Sequence, residues 1–295
     1  MSPDDGALQF DESALATVAR LRSRFRGALL GLAVGDALAA PVQYARAGSF
    51  PPVRDLLGGG PYDLPRGSWT DDTALAILVA RSLLERGICD PLDQLARFKN
   101  WQRSGEGSAT GECLGITASV SRALVDGEPS PQIADGADAL VRVAPLALWH
   151  YADAALMQRD LPVMCRVTSH ESATVLATAE FSKLLQQALR GAALAPLATQ
   201  AAETAVAATN ASVRTLAVVR RSIFGATSFK EAVLRAVNEG GDADVYGAAT
   251  GQLAGAAFGV DGIPSAWLSA LAQRDAIEEL ADGLLTEVLI RLDEG

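Results

Sequence analysis

Only two histidines occur in 295 residues, too few for a His-rich zinc site. The three cysteines, Cys89, Cys113 and Cys165, show no C-x-x-C spacing. An odd count without a secretion signal points to reduced thiols and a cytoplasmic setting. Aromatics make up 5% of the chain, and Val and Ile trail far behind Ala and Leu, so helix is favoured over sheet. Positive charge is also scarce: 25 Lys and Arg face 35 Asp and Glu, a net charge of −10. A binder of nucleic-acid backbone needs a basic face, so that class is excluded. A nucleotide-like ligand is not, because metal ions neutralise phosphate locally. No apolar run is read as reaching the length of a membrane span. The polar, acidic stretch from Met1 to Phe10 lacks the basic flank of a secretion signal. No repeat of roughly 20–50 residues suggests a solenoid.

What is present is helical periodicity in a chain that is 49% hydrophobic. Apolar spacing predicts helices over 12–34, 71–85, 92–103, from Thr110 through Leu124, over 140–151 with a break at Pro145, over 152–190 as one or two helices, and over 229–237. Residues 191–225 are Ala-rich and uninformative. No linker divides the chain, so residues 1–23 read as an extension with the start of the first helix and 24–295 as one compact all-α domain. Small residues thin one side of the first helix at Gly27, Gly31 and Gly35, and Gly247, Gly251, Gly255 and Gly259 recur every four residues in the last third. Both patterns suit close helix packing. Between them, Pro41, Gly48, Pro51, Pro52 and Gly58-Gly59-Gly60-Pro61 mark a long loop, and loops of that length inside a domain tend to be functional.

Two acidic clusters carry the chemistry: Thr70-Asp71-Asp72-Thr73 and Gly240-Gly241-Asp242-Ala243-Asp244. Each stands at the start of an apolar helix. Alone, each has a plain reading, with Thr70 or Ser68 as an N-cap and acids favouring the positive end of the helix dipole. Gly240-Gly241 permits backbone angles closed to other residues. Together the clusters offer four carboxylates and a hydroxyl, hard oxygen ligands sufficient for two divalent cations.

Four segments, in order, resemble the ADP-ribosylglycohydrolases, including the dinitrogenase-reductase-activating glycohydrolases. They are Arg26-Gly27-Ala28-Leu29-Leu30-Gly31-Leu32-Ala33-Val34-Gly35-Asp36, Trp69-Thr70-Asp71-Asp72-Thr73, Thr110-Gly111-Glu112-Cys113 and Gly240-Gly241-Asp242-Ala243-Asp244. The resemblance implies an orthogonal helical bundle with two Mg2+ or Mn2+ ions held by Thr70, Asp71, Asp72, Asp242 and Asp244. It also implies hydrolysis of an N- or O-glycosidic bond joining ADP-ribose to a protein side chain or small acceptor, by a monomer with no membrane partner. Asp36, Gln43, His170, Gly240 and Gly241 are the candidates for holding substrate. Asp36 reads equally as a buried anchor of its loop, and His170 as a structural histidine.

The departures are specific. Val245 stands where the family has a metal-binding Thr, Gln43 where many members have an acid, and Gly115 where members cutting arginine linkages have an Asp. An Asn-Gly-Ser-Leu-Met-Arg stretch is here Ala137-Asp138-Ala139-Leu140-Val141-Arg142. Lost proton-transfer groups cost about 100- to 10,000-fold in rate. Glu112, on the face of Gly115 if that segment is helical, is the stand-in catalytic group. The alternative is an impaired member that binds ADP-ribose or a related nucleotide as a sensor or interaction protein. A third reading is a metal-free helical interaction protein.

Overall fold

The computed structural model describes residues 12–130, 136–192 and 209–294. The predicted Met1–Phe10 segment and most of the Ala-rich stretch before residue 209 lie outside these. Among the described residues there are thirteen α-helices and no strand, only an isolated bridge between Gly59 and Leu64. The helices are α1 (Glu12–Ala39), α2 (Asp71–Arg86), α3 (Pro91–Ser104), α4 (Ala118–Asp126), α5 (Asp138–Val141), α6 (Ala144–Trp149) and α7 (Ala154–Cys165). They continue with α8 (Ser172–Leu189), α9 (Ala211–Ile223), α10 (Phe229–Val237), α11 (Ala243–Phe258), α12 (Ser265–Ala270) and α13 (Arg274–Asp293).

The central contact is an antiparallel seam between α1 and α11. A Cβ on Gly27 would lie 2.2 Å from the Gly255 carbonyl oxygen, one on Gly31 would lie 2.3 Å from that of Gly251, and one on Gly35 would lie 2.0 Å from that of Gly247. The two glycine stripes therefore face each other in reverse order, backbone against backbone. Gly inside a helix costs roughly 1 kcal/mol relative to Ala, and the close approach requires it here. The seam fixes the register of the two helices, so the C-terminal end of α1, with Asp36, lies beside the N-terminal end of α11, with Asp244.

α1 runs without a break across residue 23 and beyond residue 34 to Ala39, so Asp36 belongs to a helix rather than a loop. Ser13–Val42 is also long and apolar enough, by length and composition, to cross a membrane. That corrects the sequence reading. Within its most apolar window, 89% is buried inside the protein, and packing accounts for the hydropathy.

Two further differences are local. The helix expected from Thr110 begins at Ala118, where the Thr117 hydroxyl accepts from the Val120 amide at 3.3 Å; the stretch before it bends. The 140–151 segment is two short helices, with Pro145 in the first turn of α6.

Candidate functional site

The site begins with Asp36. Its carboxylate accepts the Thr70 amide (3.1 Å), the Thr70 hydroxyl (2.9 Å), the Thr73 amide (3.1 Å) and the Thr73 hydroxyl (2.7 Å). The first turn of α2 is thus capped by a side chain from α1. Thr70 occupies the N-cap position but makes no capping bond of its own; the Thr73 amide that it would accept from donates to Asp36 instead, and its own hydroxyl proton also goes to Asp36. That leaves only lone pairs on Thr70 Oγ1 for another partner. Asp36, a candidate substrate residue from sequence, is placed as the anchor of α2. Asp71 and Asp72 follow directly, each 3% exposed.

The second cluster is held by backbone. Gly240 and Gly241 have φ of +68° and +63°. A Cβ on Gly240 would lie 2.6 Å from the Ala45 carbonyl oxygen. Gly241 donates to Ala45 O (2.7 Å), and the Tyr44 amide donates to Gly241 O (2.8 Å). This clamp joins the long loop to the start of α11. Asp244, in the first turn of α11, is 5% exposed. Asp242, at the cap position, has a side chain 45% exposed, with Arg214 Nη2 at 3.7 Å from its Oδ2.

The buried acids repel one another. Burial pushes Asp71 and Asp72 well above the usual carboxylate range. Asp244 and Asp36 add to the effect on Asp71; Asp71, Asp244 and Asp36 add to it on Asp72. Asp244 is pushed up to about 7 by burial and then by Asp36, against the backbone amides of Val245 and of Asp244 itself. Asp72 and Asp244, from clusters far apart in sequence, therefore share one electrostatic region. Buried carboxylates at this density must take up protons or cations.

Two observations test the fit of a divalent cation. Asp72 Oδ2 and Asp244 Oδ1 are buried without a hydrogen-bond partner. They are hard anionic oxygens, the donor type magnesium and manganese prefer. Against this, no three Asp, Glu, His or Cys side chains among the described residues converge into a preformed chelate. Gln43, itself buried, lays its amide nitrogen on Asp244 Oδ2 and leaves its own Oε1 without a partner. The donor set fits; its convergence requires Gln43 to yield.

The structure separates the other sequence candidates. Gly115 has φ +86°, and a Cβ there would lie 2.1 Å from Asp71 Oδ1 and 3.2 Å from Thr70 Cβ. Bare backbone covers the first cluster, and a side chain there would be strained at this φ and would have to displace the Asp71 carboxylate. Glu112 is exposed on a bend, so the same-face argument for it fails with its helix. His170 is exposed ahead of α8. The residue buried in that segment is Thr168, which donates to Asp138 Oδ2 at 2.5 Å and accepts from Arg142 Nη2 at 2.8 Å.

Sequence reasoning missed three features. Arg142 is fully buried, pairs with Asp138 and bonds the Met164 carbonyl at 3.1 Å. Its partner's charge reaches Asp71 and Asp72. The i,i+4 spacing of Asp138 and Arg142 in an apolar stretch was the available signal. Arg214 beside Asp242 and the pair Tyr44 and Tyr62 gave none. A cavity of about 340 Å3 beside Arg20, Arg24 and Asp261 is lined by none of the acidic-cluster residues.

The ADP-ribosylglycohydrolase family model matches residues 17–292. ADP-ribosylarginine hydrolase Tri1 of Serratia proteamaculans (strain 568) is 30% identical over 288 residues, covering 88% of this chain and 78% of that protein. The ADP-ribosyl-[dinitrogen reductase] glycohydrolase of Rhodospirillum rubrum is 30% identical over 270 residues, covering 85% and 91%. A solved structure titled ADP-ribosylglycohydrolase-related protein complex superposes with a TM-score of 0.80 at 37% identity, covering 91% of this chain and 99% of that one. On this combination of fold, paired acidic helix starts and likeness along nearly its whole length, the chain belongs to the ADP-ribosylglycohydrolase family and is a hydrolase of that class.

Proposed function

We propose that this enzyme removes ADP-ribose from the guanidinium group of a modified protein arginine, at a centre where Thr70, Asp71, Asp72, Asp242 and Asp244 hold two divalent cations, Mg2+ or Mn2+. The observation that carries the metal half is the pair of orphaned, buried oxygens on Asp72 and Asp244. Such a centre supplies Lewis-acid polarisation and lowers the pKa of water towards neutrality. The protein's own part is positional. Asp36 fixes the first cluster through Thr70 and Thr73, and the Gly241 clamp fixes the second.

The chemistry of the leaving group bears on the linkage. Gly115 has no carboxylate, Gln43 is an amide, and Glu112 is exposed on a bend. An O-linked serine leaves as an alkoxide and needs a proton from such a group. An N-linked guanidinium is already cationic and leaves as a neutral guanidine, which protonates itself from water afterwards. The leaving group favours arginine over serine, as does the likeness to ADP-ribosylarginine hydrolase Tri1; the Asp that arginine-cutting members carry where Gly115 stands counts the other way. The three cysteines without C-x-x-C spacing support a cytoplasmic setting, and the net charge of −10 supports the absence of a nucleic-acid backbone partner.

The test is turnover on ADP-ribosyl-arginine and ADP-ribosyl-serine peptides, with added Mn2+ or Mg2+ and with chelator. Release from arginine that stops on chelation, with serine slower by about 100-fold or more, is expected. Equal rates on the two peptides, or metal-independent release, overturn the assignment. Cation-dependent binding of ADP-ribose without turnover on either peptide supports the impaired-binder alternative, to which Gln43 resting on Asp244 would belong.

A further inference from the structure

Two tyrosines stand at the rim of the carboxylate cluster with no packing reason to be there. Tyr44 is 55% exposed and holds φ of +65°, a conformation that a bulky side chain rarely adopts. It is kept there by the bond from its amide to Gly241 O. Tyr62 ends a short turn, Gly60–Tyr62, pressed onto the end of α1; a Cβ on Gly60 would lie 1.7 Å from the Ala40 carbonyl oxygen. Two separate backbone pins thus bring the rings edge to face, with centroids 6.5 Å apart at 80°. Their hydroxyls are 3.2 Å apart. Backbone strain held without burial in return is a mark of ligand sites.

The pair is wired to the buried acids. Gln43 Nε2 donates to Tyr44 Oη at 3.3 Å and also to Asp244 Oδ2. The Tyr44 ring is therefore one side chain from a carboxylate of the reacting centre. In ADP-ribose the adenine lies beyond a diphosphate and a second ribose from the bond that breaks, too far to be the group met here. Within one side chain of that bond lie the reacting ribose, which the proposed centre would hold, and the acceptor, which is left for the tyrosines. The negative charges of Asp71 and Asp244 also act on Tyr44, and an aromatic face beside carboxylates suits a planar cation.

We propose that Tyr44 and Tyr62 form the rest for the acceptor's guanidinium and are specificity-determining residues for the arginine linkage. This deepens the arginine reading and rests on it. Tyr44→Leu and Tyr62→Leu keep apolar bulk and remove the π-face; Tyr44→Phe and Tyr62→Phe keep the face and remove the hydroxyl. On an ADP-ribosyl-arginine peptide the Leu variants should raise KM by about 3- to 30-fold, with the change in KM rather than kcat. The Phe variants should recover most of that loss. Calorimetric binding of free ADP-ribose with Mn2+, which carries no acceptor, should not follow KM. If the Leu variants match the wild type in KM, or lose ADP-ribose affinity in step with KM, the rest is not an acceptor site. A wild type that turns over no arginine peptide overturns the arginine reading itself and this proposal with it. A wild type that turns over arginine with Leu variants unaffected overturns the proposal alone.

Discussion

Asp71 and Asp72 are sealed at the start of α2 by four hydrogen bonds from Thr70 and Thr73 to Asp36, whereas the late cluster is split. Asp244 is buried and touched by Gln43, and Asp242 faces solvent beside Arg214. The first cluster is fixed by side chains crossing between helices. The second is fixed by glycine backbone and its long-loop partner. The contrast assigns different work to the two halves. The early acids set a rigid reference, and any closure around a cation falls to Gln43, Asp242 and the 43–45 loop.

The largest effect expected from breaking this arrangement is on activity. Asp71→Asn or Asp244→Asn should lower kcat/KM by at least about 100-fold, since each removes an oxygen ligand and a formal charge from the centre. In chelator at pH above about 7, Asp244→Asn should unfold at higher denaturant than the wild type, because it removes a repelled, buried charge. Unchanged turnover would reject the site. Next comes the seam that aligns the halves. Gly251→Val adds side-chain atoms where a Cβ already lies 2.0 Å from the Gly31 carbonyl oxygen, so it should cost about 1–3 kcal/mol or more in chemical denaturation. Activity should fall further than the unfolded fraction explains, because Asp36 and Asp244 part. A fully active, destabilised variant would show that the register of α1 and α11 does not govern the site.

Much of this was legible in sequence, and the failures have physical causes. The glycine stripes were visible as close-packing faces, but that they face each other emerged only from the structure. The acidic clusters were visible because each is contiguous. The cap on α2 was not, since capping logic looks a few residues upstream and Asp36 lies 34 residues from Thr70. Glu112 failed because Gly111 and Gly115, both at positive φ, break the helix that its role required. The unequal burial of Asp242 and Asp244 could have been foreseen, because residues two apart at a helix start do not share a face. The resemblance to a family supplied the reaction; it could not show that Gly115 sits at positive φ directly against the Asp71 carboxylate.

A smaller effect separates the halves by pH. In metal-free protein Asp244 titrates near about 7, above its ordinary 3.8, and Asp71 and Asp72 are raised as well. Between its ordinary and raised values Asp244 keeps more proton in the folded state than in the unfolded chain, so stability falls as pH rises from about 4 through about 7. Added Mn2+ should flatten that slope by replacing protons, and Asp244→Asn should shrink it. Comparison with the variant isolates the effect from His150, whose pKa burial lowers, so that stability is lost as pH falls below about 6.5. Urea midpoints in chelator at acidic and alkaline pH decide it: a rising or flat difference between wild type and variant would mean that Asp244 is not held as a buried, protonated acid.

The smallest effect concerns the exposed member. Arg214 Nη2 is 3.7 Å from Asp242 Oδ2, and both side chains are partly open to water, so the pair is worth about 0.2–1 kcal/mol at most. Arg214 is also tied to Thr209, donating to its carbonyl at 2.6 Å, so it does not need Asp242 to stay in place. A guanidinium beside a carboxylate competes with a cation for the same oxygen. Arg214→Gln keeps a donor for Thr209 and removes the competing charge. It should therefore tighten the Mn2+ midpoint for activity by up to about fivefold while leaving denaturant stability nearly unchanged. High salt should narrow the difference, because it screens an exposed pair. If the midpoint does not move, Asp242 takes no part in holding the cation. The centre would then rest on Asp71, Asp72 and Asp244, the three carboxylates that the fold already buries together.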